Sequence, residues 1–214
     1  MLEESYGAKY SALLSLANAT DCVMPVGFAI PLYCSLHEVT DKQWNSLLAS
    51  IQKVGPLVAI RSSAIMDPGT QDRTYAGLFP SFTRVSTADT EHVKQCIQAV
   101  HRKGSVATIV QRMVEAKVSG IAFSRDPDRS DCSLVMIGTV DLEYHLVNRD
   151  TLEMDWPKQE PGYIQKMVVR AVLKIEKHFG YPVDVDWAVD ADGQLYILRV
   201  RPLKYKDAEK TIGH

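Results

Sequence analysis

The sequence lacks the features that identify several common classes of protein. Its four cysteines, Cys22, Cys34, Cys96 and Cys132, are scattered without a CxxC pair. This argues against a thiolate metal site and against a disulfide framework. No apolar run approaches the roughly 18 residues of a membrane-spanning helix, and the acidic start, MLEES, lacks the basic residues of a signal peptide. We therefore expect a cytoplasmic protein with reduced thiols and no membrane partner.

An excess of charge of one sign is also missing. The chain has 24 Lys and Arg against 26 Asp and Glu, a net charge of −2, which gives no electrostatic reason to expect nucleic acid as a partner. The hydrophobic fraction of 46% and the charged fraction of 23% are ordinary for a globular protein. A length of 214 residues suits one domain of two lobes or two small domains.

The common catalytic motifs are absent as well. The sequence contains no HExxH, no GxSxG and no GxxxxGK[ST], and its six histidines share no motif. Nucleophilic catalysis by a Cys/His or Ser/His pair therefore has no support in the sequence.

Hydrophobic periodicity predicts a mixed α+β fold with mostly antiparallel sheets. Helices are expected at 5–19 (beginning after Gly7), 40–53, 87–103 and 162–179, the last ended by Gly180 and Pro182. Alternating apolar segments predict strands between them and a closing hairpin. We expect two lobes, residues 1–108 and 109–214.

The closing hairpin, DVDWAVDADGQLYILRVRPL (184–203), carries two acids and two arginines at a spacing of two. Side chains alternate between faces along a strand, so the sequence places Leu195, Ile197, Arg199 and Arg201 on one face. A two-residue Asp-Gly turn would set Asp186 opposite Arg199 and Asp184 opposite Arg201. A four-residue loop would shift these pairs without changing the faces. Two interpretations remain open: a pair of cross-strand salt bridges, or a patch that binds Mg²⁺ through carboxylates and phosphate through guanidiniums.

A second segment, VAIRSSAIMDPGTQDRTYAG (58–77), places Arg61 at the end of an apolar strand, before a loop that contains glycines. Backbone N–H groups of such loops can cradle phosphate while an arginine neutralises its charge. An ordinary surface loop beside an arginine is the alternative interpretation. Lys9, near the start of the first helix, has by itself no feature that separates it from a surface lysine.

Five segments in this order resemble the nucleotide-binding domain of the phosphoenolpyruvate synthase and pyruvate phosphate dikinase family. They are GAKYSALL, MPVGFAIP, VAIRSSAIMDPGTQDRTYAGLFPSF, VQRMVEAKVSGIAFSRDP and YPVDVDWAVDADGQLYILRVRPL. The resemblance covers nearly the whole chain. It implies an ATP-grasp-like fold in which ATP lies in a cleft between two α+β lobes.

The resemblance also implies roles for individual residues. Lys9 and Arg61 match a lysine and an arginine that contact the ATP phosphates, and Gly69 and Gly77 lie in the loop that covers the phosphates. Arg201 matches the phosphate-binding arginine of the closing motif.

Other positions of the resemblance concern adenine and metal. Gln111 and Met113 lie on the strand that links the lobes, where adenine is held. Asp186 stands where the family has a glutamate that ligates Mg²⁺. Arg199 is grouped with the residues that contact the nucleotide, although the family has glutamine there.

The departures from the family pattern bear on activity. Arg199 replaces a neutral ligand and would repel a cation and compete for the carboxylate, and Asp186 is one methylene shorter than glutamate. A Gly-Leu-Gly-Glu turn expected before VDLEYHLVNRD is absent. The sequence ends soon after RPL, so we expect a shortened, stand-alone version without the phosphohistidine and phosphoenolpyruvate/pyruvate domains.

Three hypotheses about function follow from the resemblance. The chain is expected to use Mg-ATP as a phosphotransferase that passes a phosphoryl group to a histidine on a separate protein or to a small acceptor. The alternative is a catalytically degenerate nucleotide-binding or regulatory module that acts in a complex. A scaffold that no longer binds ATP is a third hypothesis.

Overall fold

A computed structural model describes residues 2–64, 80–101, 106–127, 133–141, 143–157, 160 and 162–204. The helices are α1 (Leu2–Ala19), α2 (Asp41–Val54), α3 (Thr90–His101) and α4 (Tyr163–Phe179), with a short 3₁₀ helix at Leu36–Glu38. The strands are β1 (Gly27–Ile30), β2 (Leu57–Ala64), β3 (Ser81–Ser86), β4 (Val106–Arg112), β5 (Ala116–Phe123), β6 (Leu134–Thr139), β7 (Tyr144–Asn148), β8 (Met154–Trp156), β9 (Val183–Asp190) and β10 (Leu195–Pro202).

The described strands form two sheets, and every strand pair in them is antiparallel. The first sheet has the order β1-β4-β2-β3 and the second β10-β9-β5-β6-β7-β8. The chain divides into two units, with boundaries at Ser15/Leu16, Val23/Met24 and Val114/Glu115. The α+β class expected from the sequence is confirmed, and the division after residue 108 stays a prediction about functional lobes.

The first unit has its core between the first sheet and the apolar faces of α2 and α3. Trp44, Leu48 and Ile51 of α2 are buried, as are Val93 and Ile97 of α3. Thr40 caps α2: its side chain accepts a hydrogen bond from the backbone N–H of Gln43, and the Gln43 side chain accepts one from the backbone of Thr40. This capping box satisfies two N–H groups that a helix end otherwise leaves unpaired, which is why the helix begins where the sequence indicated.

Helix α1 begins earlier than the sequence indicated and is kinked at Gly7. The backbone of Gly7 has φ 73° and ψ 165°, a region that is almost restricted to glycine. A Cβ added there would lie 2.3 Å from the carbonyl oxygen of Ser63 and 2.6 Å from that of Ala64. Glycine is therefore required for the first turns of α1 to approach the end of β2.

The second unit packs α4 against one face of its sheet. Val168, Val172 and Ile175 of α4 are fully buried, and so are Val185 and Trp187 of β9. Gly180, in the left-handed conformation with φ 75°, ends α4 by donating its N–H to the carbonyl of Glu176. The predicted stop signal is thus observed at the predicted residue. No helix among the described residues is long and apolar enough to cross a membrane.

A buried carboxylate joins α4 to the loops at the end of the sheet. Glu176, which is 8% exposed, accepts hydrogen bonds from Arg125 at 3.0 Å and from Arg149 at 2.9 Å. Burial alone would raise the pKa of the Glu176 carboxyl, but hydrogen bonds from Arg149, Ser124 and Arg125 hold it below its ordinary value of 4.5. The network therefore stabilises the fold only while Glu176 is ionised.

We predict that Gly7→Ala lowers the free energy of unfolding by about 3 kcal/mol, because a methyl group there meets backbone carbonyls and the φ angle becomes strained. Gly180→Ala is the matched control: its φ is also positive, but nothing lies within 4 Å of the added Cβ. We expect a loss of about 1 kcal/mol there, from backbone strain alone. Urea denaturation measures both, and equal losses would show that the close approach at Gly7 is unimportant.

We predict that Glu176→Gln lowers the free energy of unfolding at pH 7 by about 2–3 kcal/mol, since two arginines lose their counter-charge in a partly buried site. Because the pKa of Glu176 lies below 4.5, the wild type loses this stabilisation as the pH falls below that value, and the two proteins should converge there. The exposed Glu153→Gln controls for the change of side chain, with an effect within about 0.5 kcal/mol. A difference between wild type and Glu176→Gln that persists undiminished at pH 3 would contradict this interpretation.

Candidate functional site

The β9–β10 hairpin brings the predicted acids and arginines together through an irregular register. At the turn, Leu195 pairs with Val189 and Ile197 with Trp187, one position out of step with a two-residue turn. A β-bulge between Ile197 and Arg199 then corrects the register. Beyond it, Arg199 lies opposite Asp186 and Arg201 opposite Asp184. The pairs predicted from the sequence are therefore observed.

The expectation that Leu195 and Ile197 share a face with the arginines is wrong. Ile197 is 1% exposed and pairs with buried Trp187, on the face that packs against α4. Leu198, the extra residue at the bulge, shifts the alternation, so Arg199 and Arg201 project from the other face. The bulge lets β10 contribute both to the core and to a charged surface.

Each arginine holds one carboxylate. Arg199 Nε lies 3.0 Å from Asp186 Oδ2, and Arg199 Nη2 donates to Asp186 Oδ1 at 3.0 Å, so both carboxylate oxygens face one guanidinium. Arg201 places Nε and Nη2 each 2.5 Å from Asp184 Oδ2. We call these four residues, Asp184, Asp186, Arg199 and Arg201, the hairpin cluster. Since the two pairs are two residues apart on both strands, the cluster presents two guanidiniums and two carboxylates side by side.

Asp184 is the buried member of the cluster. It is 5% exposed, and its Oδ1 atom has no hydrogen-bond partner. Burial raises the pKa of the Asp184 carboxyl above its ordinary value of 3.8, although Arg201 opposes the shift. Its ionised form therefore costs folding free energy.

The cluster continues into an apolar strip that the sequence did not reveal. Directly paired residues share a face of an antiparallel sheet, so the row of Arg199 and Asp186 continues through Ile121 and Gly138 to Tyr144. Ile121 is 40% exposed and Tyr144 46% exposed. A Cβ on Gly138 would lie 3.1 Å from the Tyr144 ring, so the ring lies close to the sheet there. An exposed apolar surface thus adjoins the charged residues.

The first unit holds two other predicted residues near one end of β2. Lys9 Nζ donates to the backbone carbonyl of Ser62 at 3.4 Å, and the backbone N–H of Tyr10 donates to Ser63 Oγ at 3.2 Å. Arg61 is half-buried on β2, directly before Ser62. The predicted lysine and arginine therefore belong to neighbouring parts of the same unit.

The predicted adenine contacts lie at the end of β4. Gln111 is buried and pairs with both Gly27 and Ala59. Met113 follows the strand and donates its N–H to Leu57 at 2.9 Å. The segment after Met113 contains the boundary between the units, at Val114/Glu115. Gly69 and Gly77 lie outside the described residues.

The cluster does not offer a ready Mg²⁺ site. Mg²⁺ in proteins is usually held by one or two carboxylates, with water and phosphate completing its octahedron. Here both oxygens of Asp186 face Arg199, and Asp184 is paired with Arg201. The part of the chain that the structure describes contains no group of three or more His, Cys, Asp or Glu suited to a metal. As arranged, the hairpin cluster fits anionic oxygens better than a cation.

Comparison with known proteins confirms the resemblance inferred from the sequence. Residues 148–212 match the family "Pyruvate phosphate dikinase, AMP/ATP-binding domain". The chain is 25% identical to the phosphoenolpyruvate synthase of Pyrococcus furiosus, over 72% of this chain and 27% of that protein. It is 24% identical to the "Probable phosphoenolpyruvate synthase" of Methanocaldococcus jannaschii, over 68% of this chain and 17% of that protein. An uncharacterized phosphotransferase of Bacillus subtilis is 22% identical, over 72% of this chain and 25% of that protein. The chain thus spans less than a third of the length of these relatives.

Solved structures confirm the fold. The ADP complex of N5-carboxyaminoimidazole ribonucleotide synthetase aligns with a TM-score of 0.54 at 10% identity, covering 97% of this chain and 47% of that one. D-cycloserine synthetase aligns with a TM-score of 0.52 at 14% identity, covering 92% and 62%. The chain has the α+β ATP-grasp fold expected from the sequence.

We predict that the free energy of unfolding of Asp184→Asn increases, relative to that of the wild type, as the pH rises. Because the pKa of Asp184 is raised in the folded protein, the wild type is favoured below 3.8, where the carboxyl is protonated in both states, and loses that advantage as the pH rises through the folded pKa. Asparagine stays neutral throughout. Chemical denaturation between pH 3 and pH 8 measures the difference, with the turn variant Asp192→Asn as control for removal of one negative charge from the hairpin. If the free energy of unfolding of Asp184→Asn instead decreased relative to that of the wild type as the pH rose, the result would contradict a cost of burying this charge.

Proposed function

We propose that the chain is an ATP-binding domain of phosphotransferase type, which passes a phosphoryl group from ATP to a histidine on a separate protein or to a small acceptor. One observation carries the proposal. The segment that matches an AMP/ATP-binding family, 148–212, contains the hairpin cluster, where two guanidiniums lie together on one face of an ATP-grasp sheet. The cytoplasm is the proposed location, in keeping with the free thiols of Cys22, Cys34 and Cys96.

The proposed roles follow from charge. As the resemblance implies, Lys9, Arg61 and Arg201 are proposed to contact phosphate oxygens of ATP, and Arg199 is proposed to contact the nucleotide beside them. Guanidinium groups bind phosphate through two parallel N–H donors, which fixes orientation as well as charge. Phosphoryl transfer depends mainly on positioning and on neutralising the charge of the transferred group. These side chains therefore supply the positioning and the positive charge on which phosphoryl transfer depends.

The remaining roles come from the resemblance. Gln111 and Met113 are proposed to hold adenine, and Gly69 and Gly77 to cover the phosphates. Mg²⁺, when bound with ATP, would neutralise phosphate charge. Its assignment to Asp186 stays a prediction and requires Arg199 to leave that carboxylate.

The regulatory alternative is favoured by one specific observation, the double contact between Arg199 and Asp186. A site that keeps its guanidiniums without a free carboxylate can bind nucleotide without transferring phosphate efficiently. Losing one electrostatic contact at a transition state typically slows a reaction by about 10²–10³. Turnover therefore separates the two functions, whereas nucleotide binding does not.

We predict that Arg201→Ala and Lys9→Ala each weaken ATP binding about tenfold or more, since each removes a charged phosphate contact worth at least about 1.4 kcal/mol. Calorimetry with purified protein measures the affinities. Arg170→Ala, an exposed arginine on α4 outside the hairpin cluster, is the control and should bind ATP as the wild type does.

Transfer is tested with ATP labelled at its β- and γ-phosphates, a candidate histidine-carrying acceptor and the same variants. Label on the acceptor with the wild type, reduced at least about tenfold by Arg201→Ala, supports the phosphotransferase. ATP binding without transfer or ATP consumption supports the regulatory module. No measurable ATP affinity in the wild type would refute both and leave the scaffold hypothesis.

A further inference from the structure

We propose that Arg199 takes the place of a divalent cation at Asp186, so that the hairpin cluster receives nucleotide phosphates through guanidinium groups and does not require a metal. The part of this proposal that concerns phosphate binding rests on the proposed nucleotide-binding function. The exclusion of metal from Asp186 can nevertheless be measured without nucleotide.

The geometry shows a full contact between the two side chains. Arg199 Nε and Nη2 lie 3.0 Å from Asp186 Oδ2 and Oδ1, respectively, so neither carboxylate oxygen is left for another strong ligand on that side. The side chains are 27% and 22% exposed. They are thus shielded enough for their charge to matter and open enough for a ligand to reach them.

A magnesium ion cannot share this arrangement. Mg²⁺ needs carboxylate oxygens about 2.0–2.1 Å away in near-octahedral geometry. The Arg199 guanidinium lies 3.0 Å from both oxygens, so it occupies the same approach and repels the ion. The positive charge of the guanidinium thus opposes a cation at the same carboxylate.

The neighbouring carboxylate does not provide a substitute. Asp184 Oδ2 is held by both Nε and Nη2 of Arg201, and Asp184 Oδ1 is buried. Asp190, the next acid of β9, accepts hydrogen bonds through Oδ1 from the N–H groups of Asp192 and Gln194 within the hairpin turn. Each acid on the described part of β9 is thus engaged by an arginine or by the turn.

The same arrangement suits a polyphosphate. An incoming phosphate can share Arg199 with Asp186 through donors of the guanidinium that do not face the carboxylate. Arg201, whose side chain is 37% exposed, adds a second guanidinium two residues away. Two fixed cations then supply the charge that a metal supplies elsewhere, and nucleotide affinity becomes independent of Mg²⁺.

The first experiment probes metal alone. Mn²⁺ binding to nucleotide-free protein, followed by the loss of its free electron-paramagnetic resonance signal, is compared in wild type, Arg199→Gln and Arg199→Lys. We expect Arg199→Gln to bind Mn²⁺ at least about fivefold more tightly than the wild type, because a neutral side chain uncovers the Asp186 carboxylate. Asp186→Asn combined with Arg199→Gln should abolish the gain. Arg199→Lys keeps the charge and should resemble the wild type.

The second experiment measures ATP affinity by calorimetry in millimolar Mg²⁺ and in excess chelator. The wild-type dissociation constant should differ less than about threefold between the two conditions, whereas Arg199→Gln should bind at least about tenfold more tightly with Mg²⁺ than without it. Circular dichroism establishes that each variant is folded. If Arg199→Gln does not fold, the ATP affinities of the wild type and of Arg199→Lys with and without Mg²⁺ still show whether binding requires the metal.

Two results would overturn the proposal: wild-type affinity for ATP that rises tenfold or more with Mg²⁺, or Mn²⁺ binding that is the same in wild type and Arg199→Gln. Absence of ATP binding under every condition, together with a gain of Mn²⁺ binding in Arg199→Gln, would instead refute the proposed function. That combination would leave the exclusion of metal by Arg199 established.

Discussion

The candidate site depends on one irregularity, the β-bulge at Leu198. Without the extra residue, the alternation that places Ile197 in the core would also carry Arg199 and Arg201 away from Asp186 and Asp184. With it, β10 packs an apolar residue against α4 and two residues later presents a guanidinium to the opposite face. Bulges that redirect side chains in this way are frequent next to functional sites. The charged surface is thus a consequence of where the strand register is corrected.

The four charges of the hairpin cluster contribute little to the stability of the fold. Partly exposed ion pairs contribute only about 0–1 kcal/mol to folding, and Asp184 is buried with its pKa raised, which opposes folding at neutral pH. By contrast, Glu176 has its pKa lowered by its partners and stabilises the fold. These two buried carboxylates therefore have different roles: Glu176 joins α4 to the loops, and Asp184 holds Arg201 in place.

Local signals in the sequence predicted the elements well. The Thr40 cap and the Gly180 stop each depend on neighbouring residues, and both are observed. The pairing of Asp186 with Arg199 was predicted from a two-residue turn, but it results from a different turn plus a bulge. Those two deviations from the expected register compensate each other, and a sequence pattern does not reveal them.

The features that the sequence did not predict involve residues distant in the chain. The kink at Gly7 depends on carbonyls of Ser63 and Ala64, and the apolar strip of Ile121 and Tyr144 depends on which strands are neighbours in the second sheet. Individual roles for Lys9 and Arg61 came from family resemblance rather than from local chemistry, because a lone lysine or arginine carries no distinguishing pattern.

Amide hydrogen exchange of the wild-type protein with and without ATP tests most directly whether the hairpin cluster is a nucleotide site. A bound nucleotide slows local opening of the backbone that carries its contacts. We predict slower exchange in peptides that cover β9, β10 and the end of β2. Peptides that cover α4 should change little. ATP binding that leaves exchange in the β9–β10 hairpin unchanged would contradict the assignment of phosphate contacts to Arg199 and Arg201.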